Sequence, residues 1–293
     1  MSLLWPESTS KGTALLKLAH QFQKRVILRD EFLAWFFDAE TVDALRTDPP
    51  DFDRRPRSAA EEWERIAYWY AVLRERYFDE AVAAGVRSGC RQLLLLGSGY
   101  DTRFFRLPEI AGRAVAVFEV DKAATIAEKR AIIEAHLGSL PARLSLIPLD
   151  LNREPLGRLF DRGLARKVPT LCVWQGVSYY LPKESVSAVL DFVRGELPSG
   201  TRLALDAAGP LMLEANDVIP GIELNIERLS RIGEPYRFGM APREMRSFLS
   251  EKGFRRIRMA SQEALERRYL RRRTIPGNMW YVVTARSGQE GQR

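Results

Sequence analysis

The residues with the most chemistry in this 293-residue chain sit in one stretch, Leu96-Gly97-Ser98-Gly99-Tyr100-Asp101-Thr102-Arg103, directly after the apolar run Leu93 to Leu96. A Gly-x-Gly turn at the end of a buried strand lets a ligand approach the backbone with no Cβ in the way. A dinucleotide-binding loop would place a third glycine at position 102, where helix must pack on strand. Thr102 stands there instead, so the loop suits a smaller nucleoside better than a pyrophosphate. Glu119 and Asp121 follow Gly97 by 22 and 24 residues, at the end of the next apolar run, Val115 to Phe118. A carboxylate at that place can accept hydrogen bonds from two ribose hydroxyls. A lone Gly-x-Gly is common and a lone Glu119 would be an ordinary strand-end charge. Together, at this spacing, they favour a nucleoside-cofactor site.

Such a loop needs a sheet to hold it. Five short apolar runs supply one: Leu93 to Leu96, Val115 to Phe118, Leu144 to Ile147, Leu171 to Trp174 and Leu203 to Leu205. Helical segments alternate with them at Asp121 to His136, near Leu156 to Phe160, and at Lys183 to Leu197. That alternation predicts an α/β fold with a doubly wound, mostly parallel sheet. Three of the runs end on or near an acidic residue, at the carboxyl end of the strands where such sheets bind ligands. Residues 1–90 read as a helical cap. Thr13 to Phe37 has near-helical apolar spacing, Thr41 to Arg57 reads as a loop, and Ser58 is an N-cap signature before an amphipathic helix over Trp63 to Val86. Residues 91–293 form the sheet domain, with 207–240 an insertion suited to a lid. Pro242 to Lys252 reads as a helix stopped by Gly253, and Arg255 to Met259 with Trp280 to Thr284 as an antiparallel edge hairpin.

Composition removes other chemistries. Cys90 and Cys172 are far apart, which excludes a disulfide framework and a cysteine-rich zinc site. Two histidines, His20 and His136, both on helix-like segments, leave little for a metal site or a Ser-His-Asp triad. No apolar stretch nears the ~18 residues that suggest a membrane span, and Met1 to Lys11 has no signal-peptide core. The expected setting is the cytoplasm. Lys+Arg minus Asp+Glu is 45 − 38 = +7. Arg255 to Arg273 alone carries eight Arg and two Glu, a net of +6, so the rest of the chain is near neutral at +1. The charge marks one patch, read as solvated surface.

The motifs Gln92-Leu-Leu-Leu-Leu-Gly-Ser-Gly-Tyr-Asp-Thr-Arg-Phe-Phe-Arg-Leu107, Phe118-Glu-Val-Asp121 and Gln175-Gly-Val-Ser-Tyr-Tyr-Leu181 resemble the leucine carboxyl methyltransferase family, as does Arg74-Glu-Arg-Tyr-Phe-Asp79. The resemblance is dense over residues 70–206, looser over Thr13 to Phe37 and weak beyond 210. It implies a seven-stranded class I fold and S-adenosylmethionine-dependent O-methyl transfer. By that likeness Arg74, with Arg76 as rival, grips the methionine carboxylate of the cofactor. Gly97, Ser98, Gly99 and Asp101 form the cofactor turn, with Glu119 beside it. Asp121 binds the ribose, and Asp150 and Leu151 flank the adenine. Gln175 replaces a family Glu beside the sulfonium, losing a negative charge next to a cation, and Gln21 stands where many bacterial relatives carry Arg.

The resemblance implies an acceptor that is a carboxylate or a hydroxyl. A carboxylate is ionised at neutral pH and needs no general base, which suits a chain so poor in histidine. Tyr179, Tyr180, Arg103 and Tyr236 are candidates to orient it. Eukaryotic members methylate a protein C-terminal leucine, one branch modifies a tRNA base, and bacterial members act on small metabolites. Of 45 basic residues 37 are Arg, a bias common in GC-rich bacteria that tilts the expectation toward a small-molecule acceptor. No RNA-binding signature accompanies the basic segment, and the absent third glycine weighs against a nicotinamide oxidoreductase.

Overall fold

The computed structural model describes residues 8–271 and 279–288. Capping shapes the first ninety residues as much as periodicity does. Ser8 caps α1 (Thr9–His20) by accepting from Lys11 N, Asp38 caps α2 (Ala39–Thr47) by accepting from Thr41 N, and Ser58 caps α3 (Ala59–Arg87) by accepting from Glu61 N. The expected helix to Phe37 therefore stops at His20. There the ring Nε2 accepts Ile27 N at 2.9 Å and Gln21 Oε1 accepts Asp30 N at 2.8 Å, which folds the chain into a loop. Gln21 serves this loop and does not line the cofactor cleft. The segment expected to be all loop from Thr41 begins instead with α2, because its Asp at the cap outweighs the turn-rich residues that follow.

The remaining elements alternate: β1 (Gln92–Leu96), α4 (Arg103–Arg106), α5 (Pro108–Gly112), β2 (Ala116–Asp121), α6 (Ala123–Leu137), β3 (Leu144–Pro148), β4 (Thr170–Trp174), α7 (Lys183–Gly195) and β5 (Arg202–Ala208). Then come α8 (Ile222–Arg231), α9 (Pro242–Glu251), β6 (Phe254–Ser261), α10 (Gln262–Tyr269) and β7 (Trp280–Ser287). The seven strands lie in the order β3-β2-β1-β4-β5-β7-β6. Pairings from β3 through β5 are parallel, and β7 runs antiparallel between β5 and β6. The antiparallel edge pair matches the expectation, with α10 lying between its two strands in the chain.

Strand alternation sorts the core. Leu93 and Leu95 face the side covered by α1 and α3, whereas Leu94 and Leu96 face the side covered by α7 and α9. The N-terminal helices share the first of these cores with the sheet. The chain winds outward from β1 to β3 and returns to β4 on the other side of β1, so a crevice opens above β1 and β4, where such sheets take ligands. Among the described residues no helix is long and apolar enough to cross a membrane.

Candidate functional site

The crevice holds a cavity of about 400 Å³, within the range of small-molecule sites. Its floor is the loop after β1. Gly97 has φ +63° and Gly99 φ +48°, conformations that disfavour any side chain. A Cβ on Gly97 would stand 2.2 Å from Val177 Cγ2. The loop is locked from below: Ser98 N donates to Val120 O at 3.0 Å and Asp101 N to Ser98 O at 2.9 Å. Asp121, at the tip of β2, accepts from Gly99 N at 2.7 Å through one oxygen and from Lys122 N at 2.7 Å through the other. Burial raises the Asp121 pKa, and these N–H groups pull it back. Asp150 and Leu151, just past β3, line the same cavity, and Asp150 Oδ1 accepts Asn152 N at 2.9 Å.

Of the two arginine rivals, Arg74 reaches the cleft and Arg76 pairs with Glu80 on the exposed face of α3. Arg74 Nη1 donates to Asp206 Oδ2 at 2.6 Å and to Tyr179 Oη at 2.8 Å. Its guanidinium lies against Gly176, whose Cβ, were there one, would meet it at 3.2 Å. Asp206 also accepts Gly176 N at 2.6 Å and the Tyr70 hydroxyl at 3.2 Å. This acid, buried at the end of β5, joins α3 to the loop after β4. In the sequence it directly follows the fifth apolar run, Leu203 to Leu205, and an Asp fully buried in an apolar strand is itself a signal.

A second network lies under the loop. Gln175 Oε1 accepts Arg103 Nη2 at 2.8 Å and its Nε2 donates to Glu75 Oε2 at 2.7 Å. Burial alone would raise the Glu75 pKa, but Arg103, Lys17 and Arg106 hold it well below the carboxylate range. Glu75 and Lys17, neither foreseen, both line the cavity.

Arg103 is not among the residues that line the cavity. It is fully buried beneath the cleft, with Nε donating to Asp79 Oδ1 at 2.9 Å and Nη1 paired with Asp101, whose Oδ1 also accepts Arg103 N at 2.8 Å. Glu119 does not reach the cavity either. Two residues before Asp121 its side chain is buried against Lys129 of α6, and burial lifts its pKa to about 7 in spite of that partner. Lys129 Nζ also donates to Asp101 O at 2.6 Å, tying α6 to the loop. Both residues support the loop from behind. Tyr179 and Tyr180 stand at the other end of the cavity, 4.7 Å apart, with Tyr236 stacked 5.4 Å from Tyr180. Burial raises the pKa of all three, that of Tyr236 to about 12.

Residues 11–194 match the model of a family described as leucine carboxyl methyltransferase. The chain belongs to the leucine carboxyl methyltransferase family. A relative from Parafrankia sp. (strain EAN1pec), named as an S-adenosyl-L-methionine-dependent methyltransferase, is 30% identical over 280 residues, covering 94% of this chain and 86% of its own. A relative of the same name from Mycobacterium sp. (strain JLS) is 30% identical over 233 residues, 75% of this chain and 72% of its own. The fold is similar to that of a DUF574-family protein from Streptomyces avermitilis, with TM-score 0.59 at 17% identity, covering 78% of this chain and 87% of that one.

This family member is an S-adenosyl-L-methionine-dependent methyltransferase. Its cleft fits that cofactor on its own terms: two glycine positions that a Cβ would fill, a pinned carboxylate at the end of β2, and a buried guanidinium at the far wall. A buried, charge-balanced cradle of this kind is organised before the ligand arrives.

Proposed function

We propose that this leucine carboxyl methyltransferase family member transfers the methyl group of S-adenosylmethionine to a carboxylate oxygen of a small molecule. The observation that carries the reading is the lack of a group suited to accept a proton at neutral pH among the described residues of the cleft. His20 is remote, accepts Ile27 N and contacts Tyr68 Oη at 2.6 Å, and burial holds its pKa near 4. His136 stacks on Trp35, 4.5 Å away. The three tyrosines are held protonated by burial. Each carboxylate of the cleft is engaged: Glu75 and Asp101 with buried cations, Asp121 with two N–H groups, Asp150 with Asn152 N, Glu234 with Thr9. A hydroxyl acceptor would need one of them as base, whereas a carboxylic acid arrives ionised.

When bound, S-adenosylmethionine supplies an electrophilic methyl group. In this reading Arg74 and Gln175 fix one end of the cofactor, Asp121 and Asp150 the other, and the loop glycines allow the close approach between. The work left to the protein is alignment of nucleophile and methyl group in a site that excludes water. Closure of one wall supports a small acceptor: Ser8, Thr9, Ser10 and Thr13 of the N-terminal segment line one cavity with Gly233, Glu234 and Arg237, and Thr9 N and Oγ1 donate to Glu234 at 3.0 and 2.6 Å. The arginine-rich segment belongs to β6 and α10 at the sheet edge, where Arg267 pairs with Glu263 and Arg268 with Glu80. Arg272 and Arg273 lie outside the described residues.

The test uses cofactor labelled in its methyl group with a panel of small acids and alcohols. The expected product releases its label as methanol in mild alkali, the behaviour of a methyl ester. Alkali-stable label, from an ether or an N-methyl group, would overturn the reading.

A further inference from the structure

At the end of the sheet away from the cleft, arginines of the basic segment join two more from inner strands. Arg202 opens β5, and Asp206, at the cleft, lies four residues on, about 13 Å along the strand. Across the sheet Arg202 stands opposite Arg286 of β7, and Arg286 opposite Arg255 of β6. Directly opposed residues share one face. Arg258 joins them because of a bulge. Three residues from Arg255, it would face the other side of a regular strand. One extra residue shifts it opposite Thr284 and turns it back to the face of Arg286. Arg256, inside the bulge, holds φ +54°, a conformation that residues other than glycine seldom take.

Two costs fall at this one spot, backbone strain and crowding of like charge. Arg202 above all, then burial, Arg256 and Arg258, pull the Arg286 pKa below its usual value. Among the described residues none of Arg202, Arg256, Arg258 and Arg286 is paired with an acid, and Arg202 lies against the Cys90 thiol. Edge protection accounts for arginines on β6, since charge there deters pairing with another chain. It does not account for Arg202 and Arg286, which sit on inner strands. Both are half-buried. The stem of Arg202 is held against α3, where a Cβ on Gly85 would stand 3.5 Å from its Cδ. Guanidinium groups fixed in this way are set for a multivalent anion. The patch is also bounded. On α10 Arg267 pairs with Glu263 and Arg268 with Glu80, so the uncompensated charge spans three strands, about 10 Å.

We propose that Arg202, Arg286, Arg256 and Arg258 form a binding site for a small anion carrying two or more phosphate groups, separate from the methyl-transfer cleft. The span suits one oligophosphate lying across β5, β7 and β6, with its phosphoryl groups gripped by guanidinium groups of neighbouring strands. A nucleic-acid backbone or an anionic bilayer would extend past the patch onto residues already held in ion pairs.

The experiment is calorimetry of inorganic triphosphate with the full chain saturated with S-adenosylhomocysteine, at about physiological ionic strength. One triphosphate is expected to bind per chain. Arg202→Gln and Arg286→Gln should each weaken it about tenfold, the scale of a charge-assisted hydrogen bond. Their affinity for S-adenosylhomocysteine should stay at the parent value, which also reports that each variant folds. Arg256→Gly deletes a charge yet accepts φ +54° freely. It should weaken triphosphate binding while the melting temperature of the unliganded chain holds or rises. Absence of saturable binding by the parent chain, several triphosphates per chain, or variants that bind triphosphate as the parent does would each overturn the proposal. So would retention on anionic vesicles or on duplex RNA without triphosphate binding, since the partner would then be a bilayer or a polymer.

Discussion

At the strand ends the cleft is made of backbone, whereas the smaller cavity beside it, between α1, α3 and α8, is made of side chains. The first region takes its shape from two positive-φ glycines and a carboxylate pinned by main-chain N–H groups, all within 25 residues of β1. The second draws on Thr9, Arg74, Tyr179, Asn225, Arg228 and Tyr236, which only the tertiary fold brings together. A backbone site tolerates few substitutions because there is no rotamer to adjust. A side-chain site can change occupant one residue at a time. A fixed region beside an adjustable one suits a fold whose function changes with the site it carries.

The hardest test of that contrast is Gly97→Val. The new side chain needs the disfavoured φ of +63°, and its Cβ would start 2.2 Å from Val177. Backbone strain and overpacking together are worth a few kcal/mol, so affinity for S-adenosylhomocysteine should fall on the order of 100-fold by calorimetry. Near-normal affinity would mean that the loop adapts as side chains do, and the contrast would collapse.

That division also explains what could be read before the fold was known. The cofactor end was legible because its determinants are local: strand, Gly-x-Gly and acid at set spacing. The strand set was legible too, since fully buried strands are continuous apolar runs. Glu119 and Arg103 were misplaced for one reason. A charged side chain beside a binding loop reads as a ligand contact, but position along the chain does not tell whether it points into the cleft or beneath it. Lys129 on α6 and Asp79 on α3, which claim them, sit on other elements, 10 and 24 residues away. Asn225 and Arg228 sit on a helix within what read as an insertion, so nothing local marked them.

Gln175→Glu sharpens the comparison at the seam between the two regions. The bond to Arg103 can persist, but the other oxygen would face Glu75, whose carboxylate is 2.7 Å from the present amide. Burial and the Glu75 charge both raise the folded-state pKa of the new acid above its unfolded value. A raised folded pKa gives stability that is present below the unfolded pKa and lost as pH rises through the folded one. Thermal melts should therefore show a variant close to the parent at pH 5 and less stable by about 1–3 kcal/mol at pH 8. A deficit that does not change with pH would mean that water or Lys17 takes up the charge.

The smallest effect concerns the clasp where α1 meets the loop after α8. Glu234 accepts both Thr9 N and Thr9 Oγ1, at the N-terminus of α1, where a carboxylate is favoured by the helix dipole. It holds the wall together but lies outside the glycine loop, so removing it leaves the backbone cradle intact. Glu234→Ala should cost roughly 0.5–1 kcal/mol of that interaction, about a threefold weaker affinity for S-adenosylhomocysteine. The loss should fall mainly on dissociation, because the cradle still captures the ligand and only the wall that retains it is loosened. Stopped-flow displacement separates the two rates. A slower association with unchanged dissociation would make the α1 wall part of the capture surface, and the boundary between the two regions would move inward to Thr13.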